Sequence, residues 1–593
     1  MKIIKEKNVV PFIFLTLIVG IYTIVYFNRY LPIQEGWFNY YSQLYNSGKF
    51  PYKDFYLPIP PIFFLICHFL LKTFGDYFIT LRYYGVFERI LIVLLIFNLF
   101  RKKFNQYYSF LVIIIGFFLY TSFNVDIPYS YYQTTFLMSY LSFLFLYYSF
   151  ENNFKYDFFA FFAGFFSAVS FFTKQSNGML CVIISLILII FMYFIRNKKG
   201  IINKLLAWFL GFTIFSFIIL FWLYSNSALT KFYQIIFYAA SSKGSLKSIL
   251  FNFINRFFEY KKIYIFLILS FSLFFSKVTD NKIINMKHFE EKPFKLYIFS
   301  FVGIIIFLFF SFIYQLYIPI YKINKIIVFV IFWTVIIIFF RYLFLLYKDK
   351  DNKHYFFMFF WLLFSILWMY GHGMSGFLEI HSILLPLPLV LINFLLSVDK
   401  CLRKKLIILF LNIIIFFTVY FVSVERYLIP YNWWGWTEPS IQYSKYKLDI
   451  PKFKGFIVSK TTKDVYEKIY KIIIENKNLN DELFAFPHIL MFNVITNTKN
   501  YNYTPVTYFD VCSDKYAIET SNYLKKQKPK FILFMNFPEW AISVHEYLFR
   551  NGNISGQREI INTIKNFEKS GDYDIAFSTS SNYFYDLKFL IKK

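Results

Sequence analysis

The chain has 593 residues, of which 58% are hydrophobic and 16% are charged. Soluble proteins average about 45–50% apolar and about 25% charged residues, so this composition excludes a soluble enzyme, a secreted disulfide scaffold and a disordered chain. The formal charge of +28 does not by itself indicate nucleic acid, because lysine and arginine also mark the cytoplasmic loops of membrane proteins.

Thirteen apolar runs approach the roughly 20 helical residues needed to cross about 30 Å of hydrocarbon. They lie near 9–27, 79–100, 107–122, 131–150, 157–173, 178–195, 205–224, 263–276, 296–320, 326–347, 355–371, 381–398 and 406–424. A further run, 58–74, begins with prolines, and we predict that it lies at the membrane interface. The expected fold is therefore mainly α: a polytopic helical domain over 1–424 with about 13 spans.

The distribution of basic residues predicts the orientation of these spans. With 58–74 at the interface, the predicted cytoplasmic segments hold 23 lysines and arginines, and the longer outer loops hold 13. This bias predicts a cytoplasmic N-terminus and an extracytoplasmic C-terminal domain. The expected location is the cell (inner) membrane, with the lipid bilayer as a partner and no nucleic acid, since most of the charge marks orientation and attracts anionic lipid.

Three predicted outer segments interrupt or follow the spans. The first outer loop, 28–78, is long and rich in Pro, Gly and Tyr, and loops of that length are usually functional or disordered. The segment 225–262 has the spacing of an amphipathic helix lying on the bilayer.

The third outer segment, 425–593, predicts an α/β domain with a partly parallel sheet. Its predicted strands are 454–460, 481–487, 530–536 and 573–579, and its predicted helices are 462–476, 513–527 and 540–567. It contains none of the usual nucleotide-binding or hydrolase motifs, so we interpret it as structural or substrate-gating.

The first outer loop carries the most informative motif, LPIQEGWFNYYSQLYNSGKFPYKDFYLPIPP at 31–61. An acidic residue and glycine are followed by a Gly-x-x-Pro-Tyr-x-Asp element and then by Pro-Pro. The motif resembles the first outer loop of the GT-C superfamily of glycosyltransferases, which includes protein mannosyltransferases and the lipid A aminoarabinose transferase. Arg82, Asp126 within 124–136, and the segment 164–180 continue the resemblance, which at residue level covers about the first 180 positions.

The resemblance implies transfer of a sugar from a polyprenyl-phosphate donor to a hydroxyl of a glycan, lipid or protein acceptor, with inversion. Such a transfer requires a base for the acceptor proton and stabilisation of the departing phosphate. Family resemblance implies that Glu35 is the base. The alternative is that Glu35 is a solvated loop acid or a neighbour of a helix cap.

Two further carboxylates, Asp54 and Asp126, are candidate catalytic residues. Asp54 either orients the acceptor, binds a divalent ion or caps the turn after Pro51. Asp126 either supports the site, ligates a metal or is a plain turn acid. A Mg or Mn ion held by these two residues is one hypothesis, and the cofactor is otherwise left open.

Four basic side chains are candidates for binding the donor phosphate: Lys174, Arg82, His372 and His381. An ionisable group at membrane depth is a functional hypothesis by default. The alternatives are a snorkelling lysine, an Arg82–Glu88 ion pair and ordinary solvated histidines. Separately, the tryptophans of YNWWGWTEP at 431–439 predict an interfacial aromatic belt, with stacking on a sugar as the alternative.

Two other functions remain open at the level of sequence. An O-antigen polymerase or ligase would rely on a large late outer loop with several arginines, whereas 225–262 contains only Arg256. A transporter of lipid-linked saccharides would need charges in mid-span and broken helices, whereas most spans are uninterrupted apolar runs.

Overall fold

The structure is a computed structural model and is mainly helical. It describes residues 9–32, 35–122, 127–151, 157–196, 200–239, 320–373, 380–398, 404–433, 436–550, 552–579 and 586–593. Within these ranges, 14 α-helices lie up to Leu428, and the later elements form the C-terminal region.

The helices up to Leu428 follow the apolar runs of the sequence. They are α1 Val10–Phe27, α2 Gly36–Asn46, α3 Pro61–Phe74, α4 Phe78–Arg101, α5 Gln106–Tyr120, α6 Tyr131–Glu151, α7 Asp157–Thr173, α8 Gln175–Arg196, α9 Ile201–Ser225, α10 Leu229–Tyr233, α11 Ile320–Lys348, α12 Lys353–Gly373, α13 Pro386–Val398 and α14 Lys404–Leu428. A π-helix, Gln234–Ala239, continues α10, and a 3-10 helix, Ile380–Ile383, precedes α13.

Seven of the described helices are long and apolar enough to cross a membrane. They are Val10–Phe27, Phe78–Arg101, Gln175–Ile195, Ile201–Ser225, Ile327–Lys348, Lys353–His372 and Leu409–Leu428. A helix satisfies its own backbone hydrogen bonds and can therefore cross hydrocarbon, so these seven indicate a membrane protein.

The thirteen predicted spans are thus matched only in part. Helices occupy eleven of them, four of which are too short or too polar to meet the same criterion. The predicted span 263–276 and nearly all of 296–320 lie outside the described residues.

Contacts between neighbouring helices show which helix ends lie at the same end of the bundle. Ser142 of α6 donates to the carbonyl of Ala163 in α7 at 2.9 Å, and Ser139 contacts Ser170 at 2.7 Å, so the two helices are antiparallel. Helix α12 is antiparallel to α6 as well: Phe136 packs on Trp368, and further along Tyr147 packs on Phe356. The start of α6, the junction of α7 with α8 and the end of α12 therefore lie at the same end of the bundle.

The first outer loop folds against that end as two short helices, α2 and α3. Helix α3 starts at Pro61, at the first turn, where a missing backbone N–H removes no intrahelical bond. With 14 residues it is shorter than a spanning helix. Phe63, Phe64 and Cys67 face the protein core and Phe69 is exposed, an arrangement that fits the predicted interfacial helix.

The predicted amphipathic segment 225–262 is described as far as residue 239. Helix α10 and the π-helix bury Phe232, Ile235 and Ile236 and expose Tyr233 and Phe237. This alternation fits an amphipathic helix, and residues 240–262 lie outside the described part of the chain.

The C-terminal region is an α/β unit, as predicted. Its strands are β1 Asn432–Trp433, β2 Trp436–Thr437, β3 Tyr446–Lys447, β4 Ile457–Val458, β5 Leu483–Phe486, β6 Phe531–Met535, β7 Tyr573–Thr579 and β8 Leu587–Lys592, and its helices are α15 Lys460–Asn476, α16 Met491–Thr496, α17 Asp514–Gln527, α18 Glu539–Arg550 and α19 Gln557–Lys569. The main sheet has the order β5-β6-β8-β7, in which β5 and β6 are parallel and the other pairs are antiparallel.

Three predictions for this region were wrong in detail. The predicted helix 540–567 is two helices, α18 and α19, separated by a turn in which Gly552 has a φ of +84°. Strand β8 and helix α16 were not predicted. The predicted strand 454–460 reduces to the two residues of β4, which pair with β3 rather than with the main sheet.

The first outer loop and the C-terminal region share one hydrophobic core, so they are not separate bodies. Gly36 packs directly on the backbone of α16: a Cβ added at Gly36 would lie 2.2 Å from the nitrogen of Met491. The indole of Trp37 donates to the carbonyl of His488 at 3.1 Å, and the amide of Tyr56 donates to the carbonyl of Tyr503 at 2.7 Å. This shared core covers the end of the bundle where the candidate residues lie.

Candidate functional site

Glu35 and Arg82 form a buried ion pair at the end of the bundle that α2 and α3 cover. The Nε of Arg82 donates to one carboxylate oxygen of Glu35 at 2.5 Å, and its Nη2 donates to the other. Glu35 is 2% exposed and Arg82 is fully buried. The pairing corrects two alternatives from the sequence: Glu35 is not a solvated loop acid, and the ionic partner of Arg82 is Glu35 rather than Glu88.

The C-terminal region covers this ion pair. The guanidinium of Arg82 lies 4.4 Å from the ring centroid of Phe456 and 5.0 Å from that of Tyr30. Its Nη2 also donates to the carbonyl of Tyr30 at 2.9 Å, while the hydroxyl of Tyr129 donates to the carbonyl of Glu35 at 3.0 Å. Burial raises the pKa of Glu35, and the positive charge of Arg82 opposes that rise.

A second buried carboxylate, Glu438, lies close to the pair. It accepts hydrogen bonds from the amide of Leu31 at 3.3 Å and from the hydroxyl of Thr462 at 2.7 Å. Burial raises the pKa of Glu438 to about 7, and the hydrogen bonds and the charge of Arg82 offset part of that rise. The cluster therefore contains two carboxylates and one guanidinium, shielded from water.

Lys174 sits in a one-residue junction between α7 and α8. The chain reverses there because Gly178 allows close approach: a Cβ added at Gly178 would lie 2.3 Å from the Cα of Phe171. Lys174 is 7% exposed, and its ammonium donates to the side-chain oxygen of Asn177 at 3.0 Å. The tight turn thus holds the ammonium against the start of α8.

Tyr132 brings Lys174 and His372 together. The ammonium of Lys174 lies 3.4 Å from the centroid of the Tyr132 ring, and the His372 ring stacks on the same tyrosine at 4.6 Å with an interplanar angle of 7°. Asn177 also donates to the carbonyl of Trp368, one turn before His372. Two of the four predicted phosphate-binding residues, one from the junction of α7 with α8 and one from α12, therefore contact the same aromatic ring.

The start of α6 links the two clusters. Tyr129 contacts the backbone of Glu35, and Tyr132 contacts Lys174 and His372. Three residues of chain span at most about 11 Å, which bounds the separation of the two tyrosine backbones.

Below the ion pair, Glu88 and Arg89 pack within the bundle. Glu88 accepts from the hydroxyl of Tyr84 and from the amide of Gln133, both at 2.9 Å, and Arg89 donates to Gln133 at 3.1 Å. These bonds hold α4 against α6 and so support the position of Arg82.

Asp54 closes the turn that the Gly-x-x-Pro-Tyr-x-Asp element forms. Its carboxylate accepts from the amide of Phe50 at 2.7 Å, and its own amide donates to the carbonyl of Phe50 at 2.8 Å. Tyr52 adopts a φ of +67° in this turn, and its hydroxyl donates to the carbonyl of Ile59 at 2.7 Å. The geometry is that of the turn-capping alternative for Asp54.

The metal hypothesis stays a prediction. Asp126 lies outside the described residues, and across those residues no group of three or more His, Cys, Asp or Glu side chains is placed to hold a metal ion. His381 lies in the 3-10 helix before α13, and its side chain is outside what the structure describes.

The sequence reasoning missed Tyr132, Phe456, Glu438 and Asn177 as parts of these clusters. Glu438 carried a weak signal, since it is an acid placed shortly after the last span. The others are ordinary residues whose roles depend on contacts between distant segments.

Comparison with known proteins adds no assignment. No protein-family model matches the chain, and no curated protein matches it.

Proposed function

We propose that this chain is a membrane glycosyltransferase that moves a sugar from a polyprenyl-phosphate donor to an acceptor hydroxyl at the outer face of the membrane, with inversion. The observation that carries the proposal is the meeting of Lys174 and His372 at Tyr132, at the end of the bundle that the first outer loop covers. A lysine and a histidine that converge at membrane depth suit the phosphate of a lipid.

The proposed reaction is a single displacement. The acceptor oxygen forms a bond to the anomeric carbon, and the bond from that carbon to the phosphate oxygen breaks. Polyprenyl phosphate departs with the bonding electrons, stabilised by Lys174 and His372. Glu35 takes the acceptor proton.

The Glu35–Arg82 geometry supports this role for Glu35 in one respect and opposes it in another. Burial raises the affinity of the carboxylate for a proton, as a base requires, whereas the bidentate pair with Arg82 holds it ionised. Each carboxylate oxygen keeps a further lone pair beyond the bond it makes to Arg82. Since the pair is buried, the acceptor reaches it after the first outer loop and the C-terminal region part locally.

The proposed location is a bacterial inner membrane, with the N-terminus in the cytoplasm and the C-terminal region outside. The bias of basic residues supports this orientation. The contacts between the C-terminal region and the loop that follows α1 are consistent with it, since both then lie on one side.

The first test follows the donor. Full-length protein in proteoliposomes receives labelled undecaprenyl-phosphate glucose, mannose or N-acetylglucosamine, and transfer is measured. Hydrogen bonds to charged groups contribute about 1.5–3 kcal/mol, so Lys174→Gln and His372→Gln are each expected to raise the donor KM about 10- to 100-fold. Lys231→Gln, which alters an exposed lysine of α10, is the control.

The second test distinguishes two roles for Glu35, that of the catalytic base and that of a residue that only stabilises the fold. Glu35→Gln is expected to lower kcat about 100- to 10,000-fold with donor affinity unchanged. Glu438→Gln, in the same buried cluster, is expected to leave kcat within a few-fold. Equal losses in both variants, or wild-type protein that consumes none of the donors, would refute the assignment.

A further inference from the structure

His488 is buried without a hydrogen-bond partner for either ring nitrogen. It is 0% exposed, and both Nδ1 and Nε2 are without a partner. Burial lowers its pKa well below the usual range, so the ring is neutral. A buried polar group with no partner destabilises the fold by about 1–3 kcal/mol, so this side chain needs a reason to be histidine.

Aromatic rings from three segments surround His488. Trp37 belongs to α2, Trp433 to strand β1, and Tyr508 to the loop between α16 and α17. Their ring centroids lie 5.6, 4.8 and 4.8 Å from that of the histidine. Trp433 and Tyr508 also lie 4.7 Å apart. Trp433 is partly exposed, so this aromatic cluster reaches the surface of the protein.

The groups that face His488 are uncharged and fixed in place. The hydroxyl of Tyr508 is bonded to Nε2 of His545 at 2.7 Å, and Nδ1 of His545 is bonded to the carbonyl of Ala541 at 2.7 Å. The carbonyl of His488 accepts from the indole of Trp37. Of these four rings Trp433 is the one that is partly exposed, and the neutral histidine beside it holds one donor and one acceptor.

That combination suits a pyranose ring, whose C–H face stacks on tryptophan and whose hydroxyls both donate and accept. An anionic ligand suits it poorly, since the histidine is neutral. We propose that the cluster of Trp37, Trp433, His488 and Tyr508 binds a saccharide, which is the acceptor of the transfer. The inference rests on the proposed function and narrows its acceptor from glycan, lipid or protein to glycan.

The position of the cluster supports an acceptor role. Trp37 lies two residues after Glu35 on the same short helix and packs on His488, which precedes α16. Gly36 lies between them against the backbone of Met491. These contacts tie the aromatic cluster to the segment that carries the proposed base.

The test measures binding directly. Detergent-solubilised full-length protein is mixed with neutral oligosaccharides of glucose, mannose or N-acetylglucosamine, and separately with a serine- and threonine-containing peptide. Saturation-transfer NMR and tryptophan fluorescence report binding. We expect saccharide to bind and the peptide not to bind.

His488→Phe is the decisive variant, because it keeps an aromatic ring and removes both nitrogens. Saccharide affinity is expected to fall about 10-fold, while the Tm without ligand rises because the unpaired nitrogens are gone. Trp433→Ala is expected to lose binding by at least the same factor. Trp540→Ala, at a tryptophan 54% exposed on α18, is the control and is expected to bind normally.

The inference is overturned if wild-type protein binds no saccharide, as it would if a water molecule alone satisfied His488, or if His488→Phe binds as well as wild type. Transfer of sugar to the peptide without saccharide binding would overturn this inference and leave the glycosyltransferase standing. Saccharide binding by protein that consumes no lipid-linked donor would refute the glycosyltransferase and, with it, the acceptor role, and would leave saccharide binding by this cluster standing.

Discussion

The two clusters at the end of the bundle that α2 and α3 cover differ in the partners that they give to a buried basic side chain. Arg82 meets the full negative charge of Glu35 in a bidentate pair, with aromatic rings around it. Lys174 is held by the amide of Asn177 and the ring of Tyr132, with His372 on that same ring. The first arrangement joins two segments of the fold, and the second gathers donors from separate helices around one position.

This difference indicates which cluster is suited to holding the Glu35 carboxylate and which to binding a phosphate. Glu35 and the carbonyl of Tyr30 take three of the five N–H donors of Arg82, and the carboxylate balances its charge, so Arg82 is better suited to holding Glu35 than to releasing and rebinding a phosphate. An ammonium on an aromatic face and a side-chain amide has no carboxylate to balance its charge in these two contacts. Under the proposed function, Lys174 and His372 would therefore bind the donor phosphate, and Arg82 would position Glu35.

The largest expected effect comes from breaking the buried pair. Arg82→Met leaves the Glu35 carboxylate buried without its cation, which destabilises a protein by about 3–5 kcal/mol. The double variant Arg82→Met with Glu35→Leu is expected to regain most of that stability, because both charges are gone. Thermal unfolding of the purified chain in detergent measures both.

The comparison needs an exposed pair as its control. Lys471 and Glu475 are four residues apart on α15, 3.7 Å from each other and largely exposed. Lys471→Met is expected to change stability by about 0–1 kcal/mol. If the double variant at Arg82 and Glu35 is no more stable than Arg82→Met alone, the pair is not what joins the first outer loop to α4.

The next effect concerns the contact that closes the C-terminal region over the pair. Gly36→Ala would put a methyl group onto the backbone of Met491, which cannot yield as a side chain can, and overpacking of this kind destabilises by about 1–3 kcal/mol. Limited proteolysis should then cleave the first outer loop faster than in wild type. Gly20→Ala in α1, where the nearest atom is 3.5 Å from the added Cβ, should behave as wild type.

Much of the fold could be predicted from the sequence because its signals are local. Long apolar runs predict the helices, and the residue patterns at β5, β6 and β7 predict those strands. Strand β8 was missed because lysines flank its three-residue apolar run, 589–591, and the break between α18 and α19 rests on a single glycine turn.

The candidate site was harder, because its chemistry depends on pairs of distant residues. Glu35 and Arg82 could each be singled out from the sequence, yet their pairing depends on how α4 packs beside the first outer loop. Lys174 and His372 were also singled out, whereas Tyr132, which joins them, looks like any other tyrosine in a chain with 51 of them. Only the packing of α6 against α7 and α12 makes that tyrosine distinct.

The stability of the fold should depend on pH because of the buried carboxylate Glu438 in the first cluster. The pKa of Glu438 is raised by burial to about 7, so the folded state binds a proton that the unfolded state has already released. The contribution to stability is full below the usual pKa of a glutamate and is lost as the pH rises through about 7. The Tm should therefore fall between pH 5 and pH 8 in wild type.

Substitution at Glu438 isolates its share of that pH dependence. Glu438→Gln removes the titrating group, so the fall in Tm over this range should become shallower. Glu559→Gln, at an exposed position on α19, should keep the wild-type slope. An unchanged slope in Glu438→Gln would mean that another group controls the pH dependence of the fold.

The smallest expected effect tests the second cluster through Tyr132 alone. A cation over an aromatic face contributes about 0.5–2 kcal/mol, so Tyr132→Leu should raise the donor KM about 2- to 30-fold by loosening both Lys174 and His372. Tyr132→Phe keeps the ring and should bind donor as wild type does. Because the ring acts through two other side chains, Tyr132→Leu in a background that carries both Lys174→Gln and His372→Gln should add little further loss. Independent, fully additive losses would show that Tyr132 contacts the donor itself and does not merely position Lys174 and His372.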